Sequence, residues 1–138
     1  MHYTAIEEIP MREVVTVSMF LVNKHPTIVL FDSGASHSFM SQTFASKYDQ
    51  KIIEVNKGGY SISSARATIS TNQIVGDVLI SIQEREYTMD LIVLPGLAID
   101  VILGMSWMSG HGVFIDTTTR TIILREPKGG NAFLVPLP

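Results

Sequence analysis

The sequence predicts an all-β domain, folded as a closed, barrel-like sheet with one or two short helices. Short apolar runs rich in Val and Ile recur along the 138 residues, separated by turn-forming residues, while helical periodicity is confined to two brief segments. A chain of this length can bury one sizeable core. We therefore expect one domain over residues 13–125, an N-terminal arm at 1–12 and a tail or interface strand at 126–138.

The first part of the sheet is predicted to be a hairpin. β-Branched residues and alternation predict a strand over 14–22, a turn over 23–26 and a second strand ending at Phe31. A short helix should follow, capped by Ser36 or Ser38, because apolar residues from Phe39 to Tyr48 recur near helical spacing.

The middle of the chain contains three further strand signals. Residues 51–55 predict a brief strand, and the paired glycines Gly58 and Gly59 predict a mobile hairpin that turns at them. Two alternating segments then predict a pair of longer strands joined by a polar connection at 83–86. Their alternating apolar residues are Val78, Ile80 and Ile82 on one strand, and Tyr87, Met89, Leu91 and Val93 on the other.

The last third begins with a chain break at Pro95-Gly96. The apolar run 99–103 predicts a short buried strand, and residues 105–109 predict a single helical turn. A final hairpin is expected from 113–116 and 121–124, turning at 117–119. Beyond a linker-like stretch, residues 133–135 fit either an edge strand or a disordered end.

The composition excludes several classes of function. There is no cysteine, so disulfides, thiolate nucleophiles and Cys-based zinc sites are excluded. The net charge of −3 offers no basic stripe for nucleic acid, and the four histidines lack metal-ligand spacing, so no metal or cofactor is expected. The N-terminus lacks a secretory signal pattern and no run is long enough to span a membrane. We expect an intracellular, cytoplasmic protein without a membrane partner.

One carboxylate stands out as a catalytic candidate. The apolar run 27–31 leads into Asp32-Ser33-Gly34-Ala35, in which small residues let backbone N–H groups reach the Asp32 carboxylate. A second landmark, Asp-Val-Ile-Leu-Gly-Met-Ser-Trp-Met, occupies residues 100–108. Together these stretches resemble the retropepsin-like aspartic proteases of gypsy-class LTR retrotransposons, which carry DSGA(T/S)HSF and, roughly seventy residues later, DVILGMDWL.

The resemblance implies a retropepsin-like barrel with one lobe per chain and an aspartic endopeptidase activity. Because the sequence has one Asp-Ser-Gly, the second catalytic Asp32 would come from another copy of the chain in a homodimer. The two carboxylates would share a proton and activate water on a peptide bond. The implied substrate is a retrotransposon-type polyprotein, with virus-like particles as one setting.

The resemblance also assigns roles to particular residues. Ser33 would brace the active-site loop against its mate, Gly34 would support the carboxylate, and Ala35 would form a wall of the cleft. The remaining assignments are a flap over the substrate at Lys57, Gly58, Gly59 and Tyr60, for which a plain hairpin turn is the alternative, and an inner strand beneath the catalytic loop at Ile102, Leu103 and Gly104.

The sequence departs from the family pattern at two positions. Ser106 stands where the family usually has Asp, which removes a charge that could support the dimer, and Met108 stands where it has Leu, a change of similar volume that should matter little. Asp116 lacks the glycine of a catalytic turn and is rejected as a second catalytic Asp, and Ser33 is not in a serine-nucleophile elbow. The alternative function is therefore a catalytically silent module of the same fold, retained for dimerisation or peptide binding.

Overall fold

The computed structural model describes residues 15–55, 58–63, 68–116, 118–127 and 130–136, with side chains in the first strand from residue 18 onward. Within these ranges the first half of the chain contains β1 (Val15–Val22), β2 (His25–Asp32), β3 (Phe39–Ser41), α1 (Gln42–Lys47), β4 (Ile52–Glu54), β5 (Tyr60–Ser63) and β6 (Thr68–Thr71). The second half contains β7 (Gln73–Ile82), β8 (Arg85–Leu94), β9 (Val101–Leu103), α2 (Met105–Gly110), β10 (Phe114–Asp116), β11 (Thr121–Arg125) and β12 (Ala132–Pro136).

Six of these strands close into a barrel, as the sequence predicts. Their order around the barrel is β1-β2-β9-β3-β8-β7, and β1 closes the ring by pairing with β7. The closing contact is antiparallel and brief, with Leu21 opposite Ser81 and Val22 opposite Ile80. β4 pairs with the start of β7, on the edge opposite β8. The two helices have six residues each, and no helix in the described ranges reaches the length and apolarity needed to cross a bilayer.

The turn between β1 and β2 is shorter than the sequence suggests. Only Asn23 and Lys24 form it, both with positive φ (45° and 69°), so His25 and Pro26 already belong to β2. A two-residue turn of this kind matches the twist of antiparallel strands, and Asn tolerates its left-handed backbone well. The Asn23 side chain also accepts a hydrogen bond from Leu79 N at 2.7 Å, which joins the turn to β7.

The predicted start of the first helix is wrong. Phe39 and Met40 lie in β3, a buried strand that pairs parallel to β8 and antiparallel to β9. The helix begins after Ser41, whose Oγ accepts a hydrogen bond from Phe44 N at 3.0 Å. The three residues of β3 pair with strands on both sides and so satisfy more backbone groups than they would in a helical turn, and this tertiary pairing overrides the local helical pattern.

The hairpin expected to turn at Gly58 and Gly59 also differs. β5 pairs with β6, with Tyr60 opposite Thr71, so the two glycines precede the hairpin instead of forming its tip. The predicted turn position is therefore wrong, and β6 had no sequence prediction. Gly59 has a steric role: a Cβ there would lie 2.4 Å from the Thr71 carbonyl oxygen, and φ is +68°.

Two hydrophobic clusters lie on the two faces of the barrel wall. The larger one contains Phe31, Tyr87 and Trp107 at its centre, each at most 1% exposed. The smaller one includes Leu30 and Ala35 and is described below with the site. Alternate residues of β2 thus enter different clusters, which explains why the end of this strand is apolar on both faces.

The C-terminal region forms a separate three-stranded sheet of β10, β11 and β12. Of the two interpretations of residues 133–135, the edge strand is the one observed, and Val135 is buried. Arg85, at the start of β8, attaches this sheet to the barrel: its Nε lies 2.6 Å from a Glu126 carboxylate oxygen, and its guanidinium lies 3.7 Å from the Phe133 ring centre.

His111, the residue after α2, gives a testable pH dependence. Its ring lies 5.1 Å from the rings of both Tyr87 and Trp107, and burial lowers its pKa below 6.5. The unfolded chain therefore binds more protons than the folded protein below about pH 6.5, so stability should fall as the pH drops through that value. Urea unfolding of His111→Gln should show a flatter decrease than the wild type. Parallel curves would contradict the assignment.

Candidate active site

Asp32 is the last residue of β2. β2 pairs antiparallel with β1 and parallel with β9, so its end is fixed from both sides. The Asp32 side chain is 0% exposed in the single chain. Its Oδ1 accepts a hydrogen bond from Gly34 N at 2.8 Å, and its carbonyl oxygen accepts one from Ala35 N at 3.2 Å. The Gly34 N–H therefore holds the carboxylate, and the Ala35 N–H closes the turn on the Asp32 backbone.

The rest of the turn is fastened to the start of α2. Ala35 is fully buried and Ser33 and Gly34 are half-buried. The Ala35 carbonyl oxygen accepts a hydrogen bond from Met105 N at 2.8 Å, and the Ser36 carbonyl oxygen accepts one from Ser106 N at 3.0 Å. The two landmark motifs of the sequence are thus in direct backbone contact.

The segment assigned as an inner strand lies beside the strand that carries Asp32. Leu30 is opposite Ile102 and Phe31 is opposite Leu103 in the parallel β2–β9 pair. Gly104 follows and is buried against residues 32–38, the candidate catalytic loop, where a Cβ would lie 2.2 Å from the His37 carbonyl oxygen and 2.5 Å from that of Ala35. Only glycine allows the backbones to approach this closely.

Ser38 is a site residue that the sequence did not identify, since it was interpreted as a helix cap. It is 3% exposed, and its Oγ accepts a hydrogen bond from Gly104 N at 3.0 Å. The same Oγ lies 2.9 Å from Ser106 Oγ, in hydrogen-bond contact. Ser106, where the family usually has Asp, therefore joins Ser38 and Gly104 in a set of hydrogen bonds that ties the catalytic loop to α2. We call this set the brace. A contact between residues 68 apart leaves no local sequence signal.

This brace predicts unequal effects for its two serines. Ser38→Ala would leave the buried Gly104 N–H without its acceptor and should lower the free energy of unfolding by about 1–3 kcal/mol. Ser106→Ala removes only an exposed partner and should cost about 1 kcal/mol or less. Urea unfolding of both variants measures the difference. Equal losses would show that Ser38 does not hold the loop through Gly104.

The β5–β6 hairpin packs against the catalytic loop. Ile62 of β5 is 1% exposed and shares the smaller hydrophobic cluster with Leu30 and Ala35. The Tyr60 ring meets the His37 ring edge to face, with centres 5.9 Å apart. Of the residues assigned to the flap, Gly58 and Gly59 precede this hairpin and Tyr60 begins it. Lys57 lies outside the described residues.

His37 follows the turn and has an unusual environment. Burial lowers its pKa, and within the described residues its buried Nδ1 has no hydrogen-bond partner. A neutral imidazole against Tyr60 fits a packing role at the base of the hairpin.

The other acidic residues near the motifs have structural roles. Asp116 Oδ1 accepts hydrogen bonds from Thr118 N and Thr119 N at 2.9 and 3.3 Å, which lower its pKa and define a turn after β10. Asp100 accepts one from Ser41 Oγ at 3.2 Å. Among the described residues, no group of three or more His, Asp or Glu side chains could hold a metal ion.

A buried aspartate in a glycine-supported turn, at the end of one strand of a six-stranded barrel, is the arrangement of a one-lobe acid-protease fold. The retroviral aspartyl protease family model matches residues 1–130, so the chain belongs to that family. A comparison with curated proteins finds no match.

Solved structures show the same fold. The retroviral protease-like domain of Ddi1 from Leishmania major has a TM-score of 0.64 at 16% identity, covering 91% of this chain and 99% of that domain. EIAV protease in complex with the inhibitor HBY-793 has a TM-score of 0.55 at 20% identity, covering 74% of this chain and 92% of that protease. The TM-scores show a shared fold, which confirms the sequence prediction of a retropepsin-like barrel.

Proposed function

We propose that this protein is an aspartic endopeptidase that is active as a homodimer. The observation that carries the proposal is the buried Asp32 carboxylate, held by Gly34 N at the end of β2. The family supports protease-type function, while the sequence supplies only one Asp-Ser-Gly turn per chain. Two copies related by a two-fold axis would supply both carboxylates.

In the proposed mechanism, Asp32 of each subunit faces a shared water molecule. Two adjacent carboxylates cannot both ionise at low cost, so they share one proton, and the titration belongs to the pair. The ionised member takes a proton from the water as it attacks the peptide carbonyl, and the protonated member gives its proton to the carbonyl oxygen, which forms a tetrahedral diol. The first carboxyl then gives its proton to the amide nitrogen as the C–N bond breaks, and the second takes a proton from a hydroxyl of the diol, so the pair again shares one proton. The Gly34 N–H bond to Oδ1 keeps the carboxylate oriented. This chemistry needs neither a metal nor a covalent intermediate.

The substrate would bind as an extended peptide beneath the β5–β6 hairpin, which we propose as the flap. The smaller hydrophobic cluster, with Ala35, Ile62 and Ile102, packs this hairpin onto the catalytic turn and is buried, so the hairpin would have to lift before apolar substrate side chains could contact it. Backbone hydrogen bonds would hold the peptide, and closure would exclude water. The proposal also includes the kind of substrate, a polyprotein, and one setting for its cleavage, virus-like particles.

Cleavage of an unbiased peptide library between about pH 4 and 7 tests the proposal, since a shared-proton pair should work in this range. Because each active site would need two chains, specific activity should rise with protein concentration until sedimentation shows a complete dimer. Cleavage by a species that sediments as a monomer would contradict the two-chain site.

A silent peptide-binding or dimerisation module is the second candidate, and Ser106 favours it. With serine in place of the usual Asp, the hydrogen bond to Ser38 joins two neutral groups and is weaker than one to a carboxylate. The weaker bond would hold the loop less firmly, and a catalytic site needs exact geometry. Titration with a statine-type transition-state analogue separates the candidates. A protease should bind it stoichiometrically and tightly, whereas a silent module has no reason to hold a tetrahedral mimic.

A further inference from the structure

A second surface, distant from the catalytic turn, combines exposed apolar residues with carboxylates. Met19 and Leu21 of β1 are 64% and 42% exposed, and Ile28 of β2 is 46% exposed. Met19 is opposite Ile28 and Leu21 is opposite Pro26, so these four side chains form one contiguous group on the β1–β2 hairpin. We call them the outer patch. Contiguous apolar surface on a soluble domain is a mark of an interaction site.

The outer patch borders a groove of about 500 Å³. The register of the barrel continues the row from Leu21 to Ser81 of β7 and from Ser81 to Glu86 of β8. Directly opposed residues on neighbouring strands point to the same face, so Glu86 lies roughly 10 Å from Leu21 across the groove, two strand spacings away. Glu84, in the β7–β8 turn, also lines the groove.

The charge of the groove is one-sided. Glu84 and Glu86 are exposed, and the lining within the described part of the chain contains no basic side chain. Arg85, which lies between them in sequence, is engaged by Glu126 and the Phe133 ring at the C-terminal sheet. We call Glu84 and Glu86 the acidic rim. A ligand that contacts both the outer patch and the acidic rim must carry large apolar groups and positive charge.

The strand edge beside the groove suits an extended chain. β1 pairs with β7 only at Leu21 and Val22, so among the described strands the remaining β1 edge opposite β2 has no strand partner. An extended peptide can add to such an edge through main-chain hydrogen bonds, with alternate side chains directed to one face. A strand added to this edge would lie about 4.8 Å from β1, between the outer patch and the acidic rim, so side chains on one of its faces could reach both.

We propose that the outer patch and acidic rim form a docking site for an extended segment of another polypeptide, with large apolar residues and lysine or arginine close together. The site is separate from the catalytic turn, because Ile28 and Asp32 are four residues apart on β2, or roughly 13 Å. The inference does not rest on the proposed protease activity.

The test measures binding of two short fluorescent peptides by anisotropy, on the Asp32→Asn protein so that hydrolysis cannot interfere. One peptide has leucines and lysines in a glycine-serine background, and the other has glutamates in place of the lysines. The lysine peptide should bind more tightly, and added salt should weaken it. Because each exposed ion pair contributes modestly, charge reversal by Glu84→Lys with Glu86→Lys should weaken the lysine peptide by about tenfold. The same change should strengthen the glutamate peptide.

Matched controls locate the site. Glu54→Lys reverses an exposed carboxylate on β4, outside the groove, and should leave both affinities within about twofold. Met19→Ser removes an exposed apolar side chain and should weaken the lysine peptide without affecting folding. In methyl NMR, the Met19 signal should shift on titration while that of Met105, exposed on α2, does not.

Several results would overturn the proposal. Equal binding of the two peptides, or equal effects of Glu54→Lys and the acidic-rim reversal, would remove the charge argument. If Met19→Ser instead dissociates a dimer in sedimentation, the outer patch is a contact between copies of this chain and not a peptide site.

Discussion

Asp32→Asn should abolish peptide hydrolysis while leaving the fold intact. The amide cannot take a proton from water, so the loss should be about 10³-fold or more, in the range attributed to general acid-base groups. Asparagine has nearly the same shape, and its carbonyl oxygen can still accept the hydrogen bond that Gly34 N gives to Oδ1. It also removes a buried charge, so the thermal midpoint should stay the same or rise. Cleavage of the best library peptide and thermal unfolding measure the two effects.

Asp77→Asn is the matched control for that substitution. Asp77 is exposed at the bulge in β7 with φ of 51°, a conformation that asparagine tolerates well. Its cleavage rate should equal that of the wild type. If the Asp32→Asn protein retained more than about a tenth of the wild-type rate, a different group would have to be the catalyst.

Gly104→Ala should cause the largest loss of stability among single methyl additions. The new Cβ would lie 2.2 Å from the His37 carbonyl oxygen and 2.5 Å from the Ala35 carbonyl oxygen. Both are backbone atoms of the catalytic loop, so relief requires moving the loop away from α2. We expect a decrease of about 3 kcal/mol in the free energy of unfolding, at the upper end for overpacking, with loss of any cleavage activity. Urea unfolding measures it.

Gly110→Ala provides the comparison, because it adds the same methyl group at the end of α2 where no atom lies within 4 Å. In a helix, alanine is favoured over glycine by roughly 0.5–1 kcal/mol, so this variant should be slightly more stable than the wild type. Similar losses for both glycines would refute the steric account of Gly104.

Local sequence patterns were sufficient to predict the barrel architecture. They failed for segments whose secondary structure is decided by pairing with distant strands. Alternation in β7 and β8 reflects one buried face per strand, and this survives any choice of partner. Phe39 and Met40 carry no such pattern, since β3 is buried throughout and was mistaken for helix. The β5–β6 hairpin was misplaced because paired glycines are a strong turn signal, whereas here Gly59 allows close approach to Thr71.

The candidate site was only partly readable from sequence. Asp32 and the residues of its turn are consecutive in the sequence, so the motif alone predicts how the turn presents the carboxylate. Ser38 and Ser106 acquire their roles from a hydrogen bond between distant segments, which a single sequence does not reveal. The apolar outer patch was likewise hidden, because Met19 and Leu21 alternate like core residues although their side of β1 is exposed.

The brace between the catalytic loop and α2 has a consequence for synthesis and folding. Its contacts join Ala35 to Met105 and Ser38 to Ser106, across roughly half of the chain. Such long-range contacts form late, after the cost of closing the intervening loop has been met. A nascent chain would therefore have no complete site until the segment beyond Gly104 had been synthesised and docked. Until then, the half of the domain that carries Asp32 could not cleave the polypeptide to which it belongs.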